Sequence, residues 1–405
     1  MTRGNTVLGI SILSFLILIS VASAQNPTQG LTDSAIRIGL LCPLSGPSAS
    51  MGKNFLEGLQ TFFNHFNDIG GIHERNIVLL AQDHGDDPVQ GVAAAAQMQT
   101  TEEVFSIVSA SGMATTQAVI DRAIATENFP VLVFGSPSKS LIFRVRRNVF
   151  AFGMPYGDQI TLVVEYLLKR GPRVNPRMGL LFQDSPLGEE VREGFHRVVQ
   201  HYGLEMVGEE LYNPGTIDFV PLLDRLWAAR ADHVVLGATA WDAIKIMREA
   251  GGMDWFPQFI GTSLTADPLL MVDAGEEAEN YLMADYLAKS WEKVPGVTLM
   301  IGNTQKYFPG KNTNVLHRYH VLGYVGGVLV GEALRDAGRE LTRETFVGAL
   351  ERIHALNTHG LAGAIGYEPD SRSTPSRGRV FRYDRASERF LPLTDWGQPL
   401  VRTLK

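Results

Sequence analysis

Three short loops carry the residue types best suited to holding a small polar group. They are residues 43–52 (PLSGPSASMG), 109–116 (SASGMATT) and 135–138 (GSPS). Each follows a run of apolar, β-branched residues and so lies at the carboxyl end of a predicted strand. Free backbone N–H groups collect where a helix starts, and Ser and Thr hydroxyls add further donors. Together they can hold a carboxylate without a formal positive charge. The same hydroxyls could simply cap their helices. The two roles are compatible, because a cap leaves neighbouring donors exposed.

Other chemistries fit the chain poorly. Residues 46–54 (GPSASMGKN) place Gly-Lys between a strand and a helix. Five residues separate Gly46 from Gly52, where a phosphate-binding loop has four, and Asn54 stands where the magnesium-binding Ser or Thr belongs. No Gly-x-Ser-x-Gly elbow occurs, so a secreted hydrolase, the enzymatic alternative, lacks its nucleophile. His73-Glu74 has no second histidine at helical spacing. Residues 83–87 (DHGDD) lack the twelve-residue calcium-loop pattern and read as a turn capping the helix after Pro88. Cys42 is the single cysteine, which excludes an internal disulfide, and it reads as a small buried hydrophobe. Neither a metal nor a cofactor is expected.

The elements that must position the loops alternate along the chain. Strand-like runs at 36–41, 77–81, 105–109 and 131–134 are interleaved with helix-like runs at 55–66, 88–100 and 115–126. A second set follows, with strands at 178–182, 205–211, 233–236 and 258–260 and helices at 158–168, 189–201, 220–229 and 240–250. Helices are then predicted at 315–337 and 343–353, and strands at 380–383 and 390–392. Residues 371–379 (SRSTPSRGR) read as loop. Alternation of this kind predicts an α/β protein with two doubly wound domains, their parallel sheets covered by helices on both faces.

Charge and the amino terminus narrow the setting. Residues 1–24 combine Arg3, an apolar stretch from Val7 to Val21 and the small-residue site Ala22-Ser23-Ala24. That is the pattern of a secretory signal peptide cleaved after Ala24. The apolar run is shorter than the roughly 20 residues of a spanning helix. Net charge is −7, and Arg3 is the only charge in the leader, so the remainder carries −8. That balance argues against nucleic acid as a partner.

The order of the motifs resembles the type I periplasmic binding proteins, the branched-chain amino acid receptors of ATP-driven importers. The resemblance rests on Pro43-Leu44-Ser45-Gly46-Pro47, Gly52, Gly58 and residues 67–72 (NDIGGI), and on Asp83 to Pro88. It continues in residues 179–184 (GLLFQD) with Gly188, and in residues 324–338. It implies two Rossmann-like lobes joined by a three-segment hinge, with residues 34–148 plus 286–361 in one lobe and 149–285 plus 362–405 in the other. It also implies a periplasmic, monomeric solute-binding protein that hands a small molecule to an inner-membrane ABC permease and performs no chemistry. A ligand sensor of the same fold, signalling to a membrane receptor, is the alternative within the resemblance.

Carried over residue by residue, the resemblance puts Ser45, Thr115 with its neighbours Ala114 and Thr116, and Gly135, Ser136 and Ser138 in the ligand loops of one lobe. At several other positions, on both lobes, the chain departs from the family. Where the amino acid receptors carry an acidic residue for the ligand ammonium, this chain has Ser263. Family aromatics are replaced by Met51 and Leu187, and a family tyrosine by Thr239 or Ala240, with Trp241 next. A buried ammonium without a counter-charge would cost several kcal/mol. An apolar or carboxylate-bearing ligand is therefore expected, unless Asp158 or Asp242 reaches the pocket.

Overall fold

The computed structural model describes residues 26–403, apart from 27, 111, 124–128, 136–145, 170–174, 369–371 and 375–376. The expected leader, and Ser136 and Ser138 of the third loop, lie outside the described residues.

Two sheets organise the chain. The first is built from β1 (Ala35–Cys42), β2 (Asn76–Asp83), β3 (Ser106–Ala110), β4 (Val131–Phe134), β5 (Val149–Phe152) and the two-residue β11 (Ser373–Thr374). Its order is β2-β1-β3-β4-β5-β11, with every pairing parallel. The second contains β6 (Arg177–Gln183), β7 (Glu205–Tyr212), β8 (His233–Gly237), β9 (Gln258–Gly261) and β10 (Leu282–Asp285), followed by β12 (Arg379–Asp384) and β13 (Arg389–Pro392). Its order is β7-β6-β8-β9-β10-β12-β13, and only the two pairings made by β12 are antiparallel. The first five strands of each sheet therefore repeat one doubly wound order. Its reversal point lies between the first and third strands of each set, the place where such sheets bind ligands. Every residue of β3, β4 and β5 is buried, as parallel strands covered on both faces require.

Glycines let helices cross at backbone contact. A Cβ at Gly58 in helix Ala49–Asp68 would lie 2.0 Å from the His320 carbonyl oxygen in helix Arg318–Asp336. One at Gly323 would lie 2.1 Å from the Phe55 carbonyl oxygen. Over the second sheet, a Cβ at Gly194 would lie 2.2 Å from Gly157, joining helices Pro186–Tyr202 and Tyr156–Lys169 in the same way.

Three segments connect the sheets, side by side. Residues 153–155 lead from β5 to the helix beginning at Tyr156, and the segment after Asp285 leads back toward helix Pro295–Tyr307. The third runs from β11 into β12, whose first residue, Arg379, pairs with Asp285 at the end of β10. A Cβ at Gly378 would lie 3.0 Å from Met154 Sδ and 3.2 Å from the Asp285 carbonyl oxygen. The first two segments leave strand carboxyl ends, and the third enters the second sheet beside one. The carboxyl edges of the two sheets therefore face each other across the junction.

The structure corrects several details. β5, β10 and helix Pro295–Tyr307 were not predicted. The two strands have four residues each, too few to show a period, and the helix interrupts its apolar pattern with Gly296, Gly302 and Asn303. Part of the predicted loop 371–379 pairs with β5 as β11, and Arg379 opens β12. Within the predicted helix 115–126, the described residues are α-helical over Met113–Ala118 and widen into a π-turn over Val119–Ala123, and 124–126 lie outside the described residues. A division at 148/149 would separate β5 from the sheet it completes, and grouping 362–405 with the second lobe would do the same to β11.

Candidate functional site

The facing carboxyl edges bring together loops from both sheets. After β1, Asp83 Oδ1 accepts hydrogen bonds from the Leu44 and Gly85 backbone N–H groups (2.7 and 2.8 Å), fastening this loop to the end of β2. Burial would raise the Asp83 carboxyl, but hydrogen bonds from Ser45, Leu44 and Gly85 outweigh it and hold the group at about 2. Ser45 is exposed and Met51 half-buried. The helix rises directly from the loop because residue 52 is glycine: a Cβ there would lie 1.8 Å from the Pro43 carbonyl oxygen. The second sheet repeats the device at Gly188, where a Cβ would lie 2.0 Å from the Gln183 carbonyl oxygen. Cys42 is buried behind this loop. Burial, with the Asp83 charge, pushes its thiol up to about 12, which leaves it an unreactive thiol.

After β3 the structure turns the threonines inward. Thr115 is 1% exposed, with its methyl group against Gly91 of helix Pro88–Thr100, and Thr116 Oγ1 lies 3.0 Å from Ser109 Oγ. Ala114 is the residue this turn exposes. Gly112, at φ 75°, makes the turn possible, since few other residues adopt that backbone. Gly135 ends β4 at φ 125° with open space where a Cβ would be. The acidic run at 83–87 does what its spacing suggested, because Asp87 Oδ1 accepts from the Val89 N–H and caps the next helix.

On the second sheet, Leu187 is half-buried in the first turn after β6, and Ser185 caps that helix through Gly188 N–H (3.3 Å). After β8, Thr239 caps helix Ala240–Gly252 through Asp242 N–H (3.2 Å), and Trp241 beside it is 64% exposed. After β9, Ser263 is 3% exposed, and its N–H donates to Gln159 Oε1 (2.7 Å). Asp158 Oδ1 accepts from Thr403 N–H, Thr403 Oγ1 and Arg197 Nη2 (2.7, 2.6 and 3.1 Å), so it holds the C-terminal segment to the lobe. Asp242 is a half-buried carboxylate fixed by Gln183 Nε2 and Tyr212 OH, each 3.0 Å from its Oδ2. Its two partners come from the ends of β6 and β7, so no local pattern announces them.

One cluster at the junction was missed altogether. Asp285 Oδ2 accepts from Lys289 Nζ (2.5 Å) and Arg318 Nε (2.9 Å), and Oδ1 accepts from Arg318 Nη2 (2.8 Å) and Tyr286 N–H (2.7 Å). All three charged side chains are buried. Arg318 opens the helix that packs on the first sheet, whereas Asp285 ends a strand of the second. The only sequence signal is an acid closing an apolar run, Leu282-Met283-Ala284-Asp285. Nearby, His317 Nε2 lies 3.4 Å from Asp267 Oδ2, a second contact between the two sides.

The sequence pattern of the periplasmic binding protein family matches residues 35–388, and the chain belongs to that family. A Leu/Ile/Val-binding protein homolog 7 from Brucella abortus is 24% identical over 79% of this chain and 81% of its own length. Homolog 3 from Brucella melitensis is 28% identical over 56% of this chain, a match spanning 60% of the relative's length. Two solved structures share the fold. A fatty acid ABC transporter substrate-binding protein from Thermomonospora curvata has TM-score 0.79 and 20% identity, covering 94% of this chain and 96% of the other. A branched-chain amino acid ABC transporter protein from Thermus thermophilus with bound valine has TM-score 0.80 and 19% identity, covering 92% and 98%.

Proposed function

We propose that this member of the periplasmic binding protein family captures a small solute between its two lobes and passes it to an inner-membrane ABC permease. The observation that carries the reading is the pair of matching carboxyl edges facing one another across three parallel crossings. Closure would need only small backbone rotations in those crossings. In this reading one lobe comprises β1–β5, β11 and the helices within 295–351, and the other comprises β6–β10, β12 and β13. Ser45, Met51, Ala114 and Gly135 would meet Leu187, Thr239, Trp241 and Ser263 around the ligand, while Thr115 and Thr116 would hold the shape of their turn. Among the described residues no helix is long and apolar enough to cross a membrane.

The ligand we propose is an apolar molecule, neutral or bearing a carboxylate. Ser263 supplies no charge, Asp158 is occupied, and Trp241 offers an uncovered aromatic surface. Calorimetry with leucine, set against medium-chain aliphatic and aromatic acids, tests this. Leucine should give no measurable heat, and at least one acid should bind. Micromolar leucine binding would overturn the ligand assignment. Its loss in Asp242→Asn would then identify Asp242 as the ammonium partner.

Export has its own test. Protein recovered from the periplasm should have the intact mass of a chain beginning at Gln25. A mass retaining Val7 to Val21 would instead show an uncleaved anchor.

A further inference from the structure

A second cavity, of about 470 Å³, lies on the first sheet's side of the molecule. Its walls are helices Ala49–Asp68 and Arg318–Asp336, the start of helix Pro295–Tyr307 and the loop at 355–361. It is not part of the junction. Helix Ala49–Asp68 starts at the carboxyl edge and runs back along the sheet, and Phe62 lies 13 residues in, roughly 20 Å away at 1.5 Å per residue.

The floor is aromatic. Phe62 and Phe66 stack with centroids 4.9 Å apart, and Tyr324 meets Phe62 edge-on at 5.4 Å. Leu299 and Val328 extend the apolar wall. The neighbouring helices cannot sink into this space, because their glycines already bring them to contact: a Cβ at Gly327 would lie 2.6 Å from Phe62 Cβ. The loop is held at its own distance by the Gly296 N–H, which donates to the His359 carbonyl (2.8 Å). The carboxylate and guanidinium at the rim, Glu332 and Arg335, are paired with each other, and the other ionisable side chains of the lining are the imidazoles of His65 and His359.

We propose that this cavity is a second binding site, for a small neutral molecule with an aromatic or branched apolar skeleton. The apolar surface that Phe66, Val328 and Leu299 leave uncovered gains free energy when such a molecule covers it, and the volume suits one. Because the site is separate from the junction, it stands or falls independently of the solute proposed there.

Ligand-observed NMR with indole as the probe tests the assignment on the mature protein. Wild type should show saturable binding. Val328→Trp, which fills the space, and Leu299→Asp, which charges an exposed part of the wall, should each weaken it at least tenfold. Thermal melting identifies the variants that remain folded, and Leu299→Asp alone decides should Val328→Trp not fold. Absence of saturable binding to wild type, or wild-type affinity in the folded variants, would overturn the proposal.

Discussion

Replacing Asp285 with Asn is expected to destabilise the fold by about 3–5 kcal/mol, the usual cost of removing one partner from a buried ion pair. The carboxylate neutralises two buried cations, Lys289 and Arg318, and also accepts the Tyr286 N–H. An amide matches the shape but takes away the carboxylate that both buried cations share. Burial alone would raise the Asp285 carboxyl. The Arg318 and Lys289 charges outweigh it and hold the group at about 2. Burial lowers the Lys289 ammonium despite the adjacent carboxylate. The sign of the pH effect follows. A carboxyl depressed in the folded state contributes stability that is fully present above its unfolded value near 3.9 and is lost as pH falls toward 2. The gap between wild type and Asp285→Asn should therefore be constant from pH 7 to about 5 and shrink below about 4. Urea unfolding at several pH values measures it. A gap under about 1 kcal/mol at pH 7 would show that the cluster does not hold the junction. Adding Arg318→Met to Asp285→Asn should recover part of the loss, because it removes one stranded charge.

Gly323→Val is expected to cost at least the 1–3 kcal/mol typical of overpacking, with loss of soluble protein as the extreme outcome. The obstruction is backbone, with Phe55 O at 2.1 Å and Leu59 N at 3.0 Å from the new Cβ. No rotamer change relieves it, so helices Ala49–Asp68 and Arg318–Asp336 must separate. Those helices carry Phe55, Leu59, Leu322 and Val325 into the core, and their separation would unpack all four. Gly194→Val should act similarly on the second sheet, through Gly157. Gly302→Ala is the control. Nothing lies within 4 Å of its Cβ position in helix Pro295–Tyr307, so alanine should stabilise by about 0.4–1 kcal/mol. Thermal melts of the three variants decide. A Gly323→Val protein melting with wild type would mean the two helices do not approach as closely as described.

Much of the architecture was legible in the chain because its causes are local. Val131 to Phe134 is apolar and β-branched and forms a strand with those bounds. Asp87 precedes Pro88 and caps the helix, as short-range hydrogen bonding dictates. The repeated strand-then-helix order needed only composition and period, and it fixed the α/β class. The tertiary structure decided which partner each side chain takes. Thr115 has the hydroxyl and the position of a ligand contact, yet the gap over Gly91 draws it inward. Asp158 could have met an ammonium, but Arg197 and Thr403, far along the chain, reach it instead. β5 and β10, at four residues, are too short to show a period and become strands because their neighbours offer unpaired backbone. The cluster at Asp285 joins a strand end, a crossing and a helix start. Apart from the apolar run that Asp285 closes, nothing local distinguishes those three residues from surface charges until folding buries them together. Periodicity records which face of an element is covered, but the identity of what covers it depends on chain segments tens to hundreds of residues apart, and only packing brings those together.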